Sequence, residues 1–389
     1  MTKSFTKVLA AAAAASALAG MSSASLAAEV TLYGSISTGV VYSHAKELTT
    51  GGVVDAKKTN SVSMESAWYG DSIWGLTGSE DIGGGWSVGF TLENEFTSDD
   101  GNLATEGGLF DSQAYLRIGN DFVNIAAGNL GTLASAGGDF DLVGGFDPLE
   151  AAFGVGGMGT FASRDYAIAN AAVIEITPIE GLKVSLMGSA GDDDGISRWA
   201  DRNHYYGIGA NYENGPFAAA AVVEMMQYDK VGDNDDKGMI YTLALSYDFG
   251  FVKPMAMYQH ADKVRSFRDG DLRDEDGLTN NGAYTIDSFL LGATAPLGNG
   301  TLMGSLQYMK AENEAATGNN EADAFVVGLA YAYEMSKRTT LYVGATYAHG
   351  GDGLDADLSA NDTFGADSGF MDRAEFNGYQ FGLGLNHTF

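Results

Sequence analysis

Tyr379-Gln-Phe-Gly-Leu-Gly-Leu-Asn-His-Thr-Phe389 is the stretch whose reading decides the fold. Counted back from Phe389, the residues Phe389, His387, Leu385, Leu383, Phe381 and Tyr379 fall on one face, and Thr388, Asn386, Gly384, Gly382 and Gln380 on the other. A period of two that puts large apolar groups on one side and small or polar groups on the other is a strand with two unlike faces. Aromatics at both ends of the apolar face fit a lipid-facing strand of a transmembrane barrel, where aromatic girdles mark the two membrane interfaces. An edge strand of a soluble β-sandwich carries the same alternation, so the stretch needs support from elsewhere.

The opposite end of the chain supplies it. Lys3 and Lys7 precede an Ala-rich apolar run from Val8 to Gly20, and Ser25-Leu-Ala27 provides the small residues a signal peptidase reads. Residues 1–27 are therefore expected to be a secretory leader, leaving 28–389 as one barrel domain. The apolar run is too short for a membrane-spanning helix, which needs ~20 residues. No cysteine is present, so no disulfide staples the exported chain.

Composition agrees with a barrel without proving one. The 51 acids against 21 Lys and Arg give a formal net charge of −30, and mean hydropathy is close to zero at −0.06. With 45% hydrophobic residues, 20 Phe and 19 Tyr, the chain is not a disordered polyanion. Alternating apolar-out and polar-in strands produce such an average in a membrane protein, and a large soluble β protein would share it. A nucleic-acid partner is not expected.

Sixteen strand-like runs follow one another, near 30–43, 66–81, 86–97, 109–120, 122–130, 163–177, 182–190, 204–213, 217–229, 238–249, 251–262, 283–295, 300–312, 322–334, 339–349 and 376–389. Short connections with turn chemistry, such as Gly83-Gly84-Gly85, Asn120-Asp121 and Asn214-Gly215-Pro216, alternate with long, mostly acidic ones. Outer-membrane barrels sort their connections this way, with short periplasmic turns and long extracellular loops. Closed on itself, a sheet of sixteen antiparallel strands encloses an aqueous lumen instead of a packed core.

Motifs for covalent chemistry are weak. Gly154-Val-Gly156-Gly-Met-Gly159 fits the spacing of a dinucleotide fingerprint, but lacks the preceding strand and following helix that the fingerprint requires. Glycines that let a loop lie flat against a wall explain it better. His44, His204, His260, His349 and His387 are dispersed and show no metal spacing. Asp233-Asn-Asp235-Asp-Lys237-Gly238 has Lys where a calcium loop needs a ligand, and lacks the distal Glu. No cofactor is expected; the acidic loops are candidates only for weak divalent-cation binding, bridging to anionic lipopolysaccharide.

Four segments carry a family resemblance: Val30-Thr-Leu-Tyr-Gly34, Trp74-Gly-Leu-Thr-Gly78-Ser-Glu-Asp81-Ile-Gly-Gly-Gly, Leu109-Phe-Asp-Ser-Gln-Ala-Tyr115 and Gly384-Leu-Asn-His-Thr-Phe389. In this order the mature chain resembles the general porins of Gram-negative bacteria, most of all the proteobacterial trimeric type. The resemblance implies an outer-membrane homotrimer of sixteen-stranded barrels, each narrowed by an inward-folded third extracellular loop. Here that loop is Gly131 to about Ala162, carrying Asp139, Asp141, Asp147 and Glu150. It also implies that the barrel assembly machinery reads Phe389. Small residues in the first strands, Gly34, Ser35 and Gly39, are compatible with the trimer contact.

The chain departs from the family in its wall charges. Ile73, Thr77, Ser112 and Asn129 stand where such porins often carry arginine, Arg164 aligns with the arginine that opens the sixth strand, and Arg117 is extra. Glu93 and Glu95 share a face by alternation with outward Phe90 and Leu92, so they add to a negative lumen. The expected pore constriction is thus Asp139, Asp141, Asp147, Glu150, Arg164, Glu93 and Glu95. The reading that follows is a passive, non-enzymatic diffusion channel preferring cations, because acidic rings favour them. Two other classes stand beside it: a barrel enzyme such as a lipid hydrolase, and a closed barrel for adhesion or anchoring.

Overall fold

A computed structural model describes residues 29–47, 57–105, 108–162, 168–191, 203–227, 237–264, 284–313, 321–350 and 377–389. The leader, Arg164 and residues 233–236 fall outside the described residues. The strands are β1 (Glu29–Glu47), β2 (Lys57–Ser66), β3 (Ile73–Gly83), β4 (Trp86–Glu95), β5 (Gln113–Gly119) and β6 (Val123–Leu130). After the long third loop come β7 (Ile168–Ile179), β8 (Leu182–Ser189), β9 (His204–Asn214), β10 (Phe217–Gln227), β11 (Lys237–Tyr247) and β12 (Lys253–Val264). The sheet finishes with β13 (Tyr284–Pro296), β14 (Gly300–Asn313), β15 (Glu321–Ser336), β16 (Thr339–Gly350) and β17 (Asn377–Thr388).

Every pairing is antiparallel, and β1 pairs with β17 from Ser35↔Thr388 to Ala45↔Gly378, which closes the sheet. Phe389 extends that seam, its N–H donating to Gly34 O at 2.9 Å. Closure leaves no unpaired edge, the condition for crossing a bilayer with strands.

Seventeen segments make sixteen staves. β2 pairs with Thr38–Glu47 of β1 and β3 with Glu29–Ser35, so the two are halves of one stave interrupted at 67–72. The alternation pointed to one run near 66–81; the structure adds its upper half, 57–66, and the interruption. Ala67 and Gly70 are left-handed there, with φ of 52° and 71°. The carbonyls freed by the break are taken up by β1: Ser37 Oγ donates to Tyr69 O at 2.7 Å and Ser35 Oγ to Asp71 O at 2.6 Å. Nothing in local propensity marks such a break, because serines on the neighbouring strand make it affordable.

Outward positions carry Leu, Ile, Val and aromatic side chains exposed along the whole wall, including Leu243, Leu291, Leu329 and Leu383. Tyr206, Tyr241, Phe289, Tyr308, Phe325, Tyr347 and Tyr379 form the girdle near the long loops, and Phe122, Phe217, Tyr247, Phe251, Tyr333 and Phe389 the one near the short turns. A belt of this composition has lipid as its solvent. The small residues of β1 do not lie on one outer contact face. Ser35 bonds inward to Asp71, a Cβ on Gly39 would meet the Tyr342 hydroxyl at 2.4 Å, and Gly34 is covered by the Phe389 ring.

Candidate functional site: an inward loop and the lumen wall

Past Leu130 the chain turns into the barrel. Residues 131–162 hold two short 3-10 turns, Gly144–Phe146 and Gly154–Gly156, and no helix follows the glycine motif. The dinucleotide reading is thereby excluded for this segment. Leu133, Phe140, Leu142, Val143, Phe146, Val155, Met158 and Phe161 of the loop form one buried cluster with lumen-facing Met187, Val222, Ile240, Met257, Ile286 and Leu290 of the wall. Burying an apolar side chain of this size stabilises by about 1.5–3 kcal/mol, so the loop is held chiefly by its apolar face.

Shape fixes its register. A Cβ on Gly292 would stand 2.4 Å from Pro148, one on Gly328 2.2 Å from Leu149, and one on Gly344 2.4 Å from Phe153. Three wall glycines are therefore sockets for three loop side chains. Polar pins close the same seam. Gln307 accepts from the Thr160 N–H at 3.2 Å and hydroxyl at 3.1 Å, and its amide donates to Gly156 O. Ser305 Oγ also donates to Gly156 O at 2.8 Å, and Ser288 Oγ donates to Thr160 O. Next to the Gly344 socket the break in the second stave grips the tip: Phe153 N–H donates to Trp68 O at 2.7 Å, and the Trp68 and Phe153 rings meet edge-on at 5.1 Å.

The loop backbone is strained. Ala136, Glu150, Ala151, Phe153 and Met158 have φ between 47° and 64°. Such residues cost about 1 kcal/mol or more each and persist only where surroundings over-determine them. Two of the acids expected at the constriction serve this purpose. Asp141 accepts N–H bonds from Ala136 at 3.1 Å, Val143 at 3.2 Å and Gly144 at 2.6 Å. Asp147 is buried and accepts from Leu149 at 3.0 Å and Ala151 at 2.8 Å. Both carboxylates cap the loop from within instead of lining open lumen, because its turns leave N–H groups that need acceptors.

Asp139 and Glu150 remain accessible to lumen water. Asp139 accepts from the Tyr115 hydroxyl, and its N–H donates to Gln113 at 3.0 Å. Glu150 lies beside Tyr69; desolvation by the enclosing loop and wall raises its carboxyl above the ordinary range, and the Tyr69 hydroxyl opposes this. Burial likewise raises Asp141, against the pull of its backbone donors. On the wall, Glu93 accepts from Tyr33 at 2.8 Å and Ser112 at 2.6 Å, and Glu95 stands two residues further on the same face. Asp71, exposed at the break in the stave, joins them; alternation alone gave no sign of it.

Where arginines are common in the resembling family, neutral groups complete local bonds. Thr77 donates to Phe90 O at 3.1 Å, Ser112 to Glu93, and Asn129 to Asp111 O at 3.0 Å. Among the described residues, the bases facing the lumen are Arg117, Lys183 and Lys253, all toward the short-turn end. Lys183 is bridged to Glu175 at 3.4 Å. The described bases thus stand below the loop, where Glu175 and Glu213 accompany them, and not across the constriction from its carboxylates. No group of three or more metal-ligating side chains occurs among the described residues.

Comparison with known proteins matches this architecture. The family profile described as Gram-negative porin covers residues 10–353. An outer membrane porin protein of Bordetella pertussis is 29% identical over 371 residues, 86% of this chain and 93% of that one. Outer membrane porin protein 32 of Delftia acidovorans is 28% identical over 385 residues, 96% and 97% of the two chains. Among solved structures, an anion-selective porin from Comamonas acidovorans superposes with a TM-score of 0.69 at 24% identity, covering 93% of this chain and all of the other. The trimer form of OmpT from Vibrio cholerae gives 0.59 at 16% identity, with 93% and 100% covered.

Proposed function

This chain belongs to the Gram-negative porin family and is a passive channel of the outer membrane, not an enzyme; from that premise we propose that its pore prefers cations. The observation that carries the proposal is the imbalance around the loop. Asp139, Glu150 and Asp71 are exposed on the lumen side, Glu95 is half-buried and Glu93 buried beside them, and no described base stands at their level. Low-dielectric walls focus the field of such carboxylates on a passing ion. Hydrogen bonds from Tyr33, Ser112 and Tyr115 hold Glu93 and Asp139 in place without neutralising them. Arg117 lies lower on the same face of β5, two residues past Tyr115, and offsets part of that field. The solved porin titled as anion-selective shares this fold at 24% identity, which carries no argument about the charge of this lumen.

Asp139, Glu150, Glu93 and Glu95 form the constriction in this reading, Asp141 and Asp147 shape the loop, and the role of Arg164 stays a proposal from the resemblance. The working unit we propose is a homotrimer, embedded among lipopolysaccharide, with Phe389 read by the assembly machinery. The exposed apolar residues Val30, Leu32, Ile36 and Val40 of β1 with Val62 and Met64 of β2 give the first two staves an outer face suited to a partner copy. Reversal potential across a potassium chloride gradient tests the selectivity: a cation-selective sign is expected, and a chloride-selective sign overturns it. Native mass of detergent-extracted protein tests the trimer. Deleting Phe389 should lower the yield of folded protein while surviving channels conduct as before.

A further inference from the structure

Below the loop, at the short-turn end, the lumen wall and the loop enclose a polar cavity of about 300 Å³. Its lining includes Lys183, Asn211, Glu213, Ser246 and Lys253 from β8 to β12, and Asp141 from the loop. Two of the three bases that face the described lumen converge here. They are not equivalent. Lys183 is tied to Glu175, whereas Lys253 has no ion-pair partner among the described residues. Ser246 is only 5% exposed, and its hydroxyl has no hydrogen-bond partner. A buried hydroxyl left so costs about 1–3 kcal/mol, which a bound acceptor recovers. Asp141 contributes little free negative charge, since its carboxylate is filled by loop N–H groups. Glu213 is exposed on the same cavity and offers an acceptor for a cationic group.

We propose that this cavity is a binding station for small zwitterionic solutes of amino-acid size, on the periplasmic side of the constriction. Lys253 and Ser246 hold the carboxylate, Glu213 holds the ammonium group, and the Asn211 amide serves either. The volume is about ten water molecules' share of the liquid, room enough for such a solute. A zwitterion passes the carboxylate ring above without the repulsion a simple anion meets, and here finds both charges matched. The station rests on the channel reading only in that the solute must reach the lumen.

Single-channel recording with L-alanine added from the short-turn side tests it. Wild-type channels should show brief current reductions whose frequency saturates with alanine concentration. Lys253→Gln should weaken the apparent affinity about tenfold and Ser246→Ala about threefold to fivefold. Glu213→Gln should weaken alanine by a similar factor while strengthening acetate, a crossover that a merely structural role would not produce. Potassium chloride conductance of the same channels reads the pore itself. Conducting channels in which alanine never saturates, or in which Lys253→Gln and Glu213→Gln match wild type, overturn the station and leave the pore standing.

Discussion

The two sides of the lumen are built from opposite chemistry. From β8 to β16, at the level of the loop, the inner wall sets buried Met187, Val222, Ile240, Met257, Ile286 and Leu290 among glycine sockets and polar pins such as Ser305 and Gln307, and the loop covers it. From β1 to β5 it is Tyr33, Ser35, Ser37, Thr91, Glu93, Glu95, Gln113 and Tyr115, a polar wall tied up in side-chain hydrogen bonds to its own strands, to the 67–72 break and, through Gln113 and Tyr115, to the loop. At the level of the loop, the apolar wall holds the loop and the polar wall carries the carboxylates. The lesson is that a barrel leaves its loop in place by making part of its own lumen apolar, and so the conducting path is one-sided.

The comparison breaks most visibly if the apolar grip is removed. Leu142→Ser with Phe146→Ser takes two buried side chains from the cluster, a loss of about 1.5–3 kcal/mol each. The loop should leave the wall, raising single-channel conductance about twofold and broadening current noise. Unchanged conductance in folded protein would mean that polar pins alone hold the loop. A narrower strike is Gly344→Val, whose side chain must displace Phe153; overpacking costs about 1–3 kcal/mol and should alter conductance in one direction with less effect on barrel stability.

The second contrast lies within the loop, between acids that cap and acids that face water. Asp141→Ala and Asp147→Ala each leave buried N–H groups without acceptors, expected to cost about 1–3 kcal/mol in thermal unfolding with a small shift in reversal potential. Asp139→Asn with Glu150→Gln should do the reverse, moving the reversal potential toward chloride with little change in stability. Equal shifts from both pairs would erase the distinction.

This division also marks what the sequence could tell. Fifteen of the staves and the closing pair are legible because alternation is local and each strand meets lipid on one side. The loop is legible only as a long glycine-rich gap with four acids. Which acid caps and which faces water depends on N–H groups left open by left-handed residues such as Ala136 and Glu150, and no spacing rule announces those. The sockets Gly292, Gly328 and Gly344 are invisible for a similar reason. A glycine at a lumen position of a strand reads as a gap in the pattern until the side chain that fills it, Pro148, Leu149 or Phe153, is seen across the lumen. Lys183 pairs with Asn211, Ala218 with both Glu213 and Ser246, and Lys253 begins the next strand, so neighbouring strands bring them to one level, but only the loop lying over them makes a cavity there.

The smallest expected effect is a pH dependence of selectivity. Desolvation raises the Glu150 carboxyl, and the hydrogen bond from Tyr69 only partly opposes it. A raised carboxyl takes up its proton at a higher pH than an ordinary one, so Glu150 loses charge while exposed acids are still ionised. Cation preference should therefore begin to fall on acidification before the usual carboxylate range is reached, then fall further within it. Stability moves in the opposite sense. With the folded-state value above the unfolded one, the folded protein binds more protons between the two, so stability rises as pH drops through that window and the gain is complete below the unfolded value. Asp141, raised by burial as well, adds to the stability change without touching selectivity, because its oxygens point into the loop. Reversal potentials measured from neutral pH downward should show the early limb in wild type and a smaller one in Glu150→Gln. An early limb unchanged in Glu150→Gln would assign it wholly to other carboxyls and remove Glu150 from the constriction.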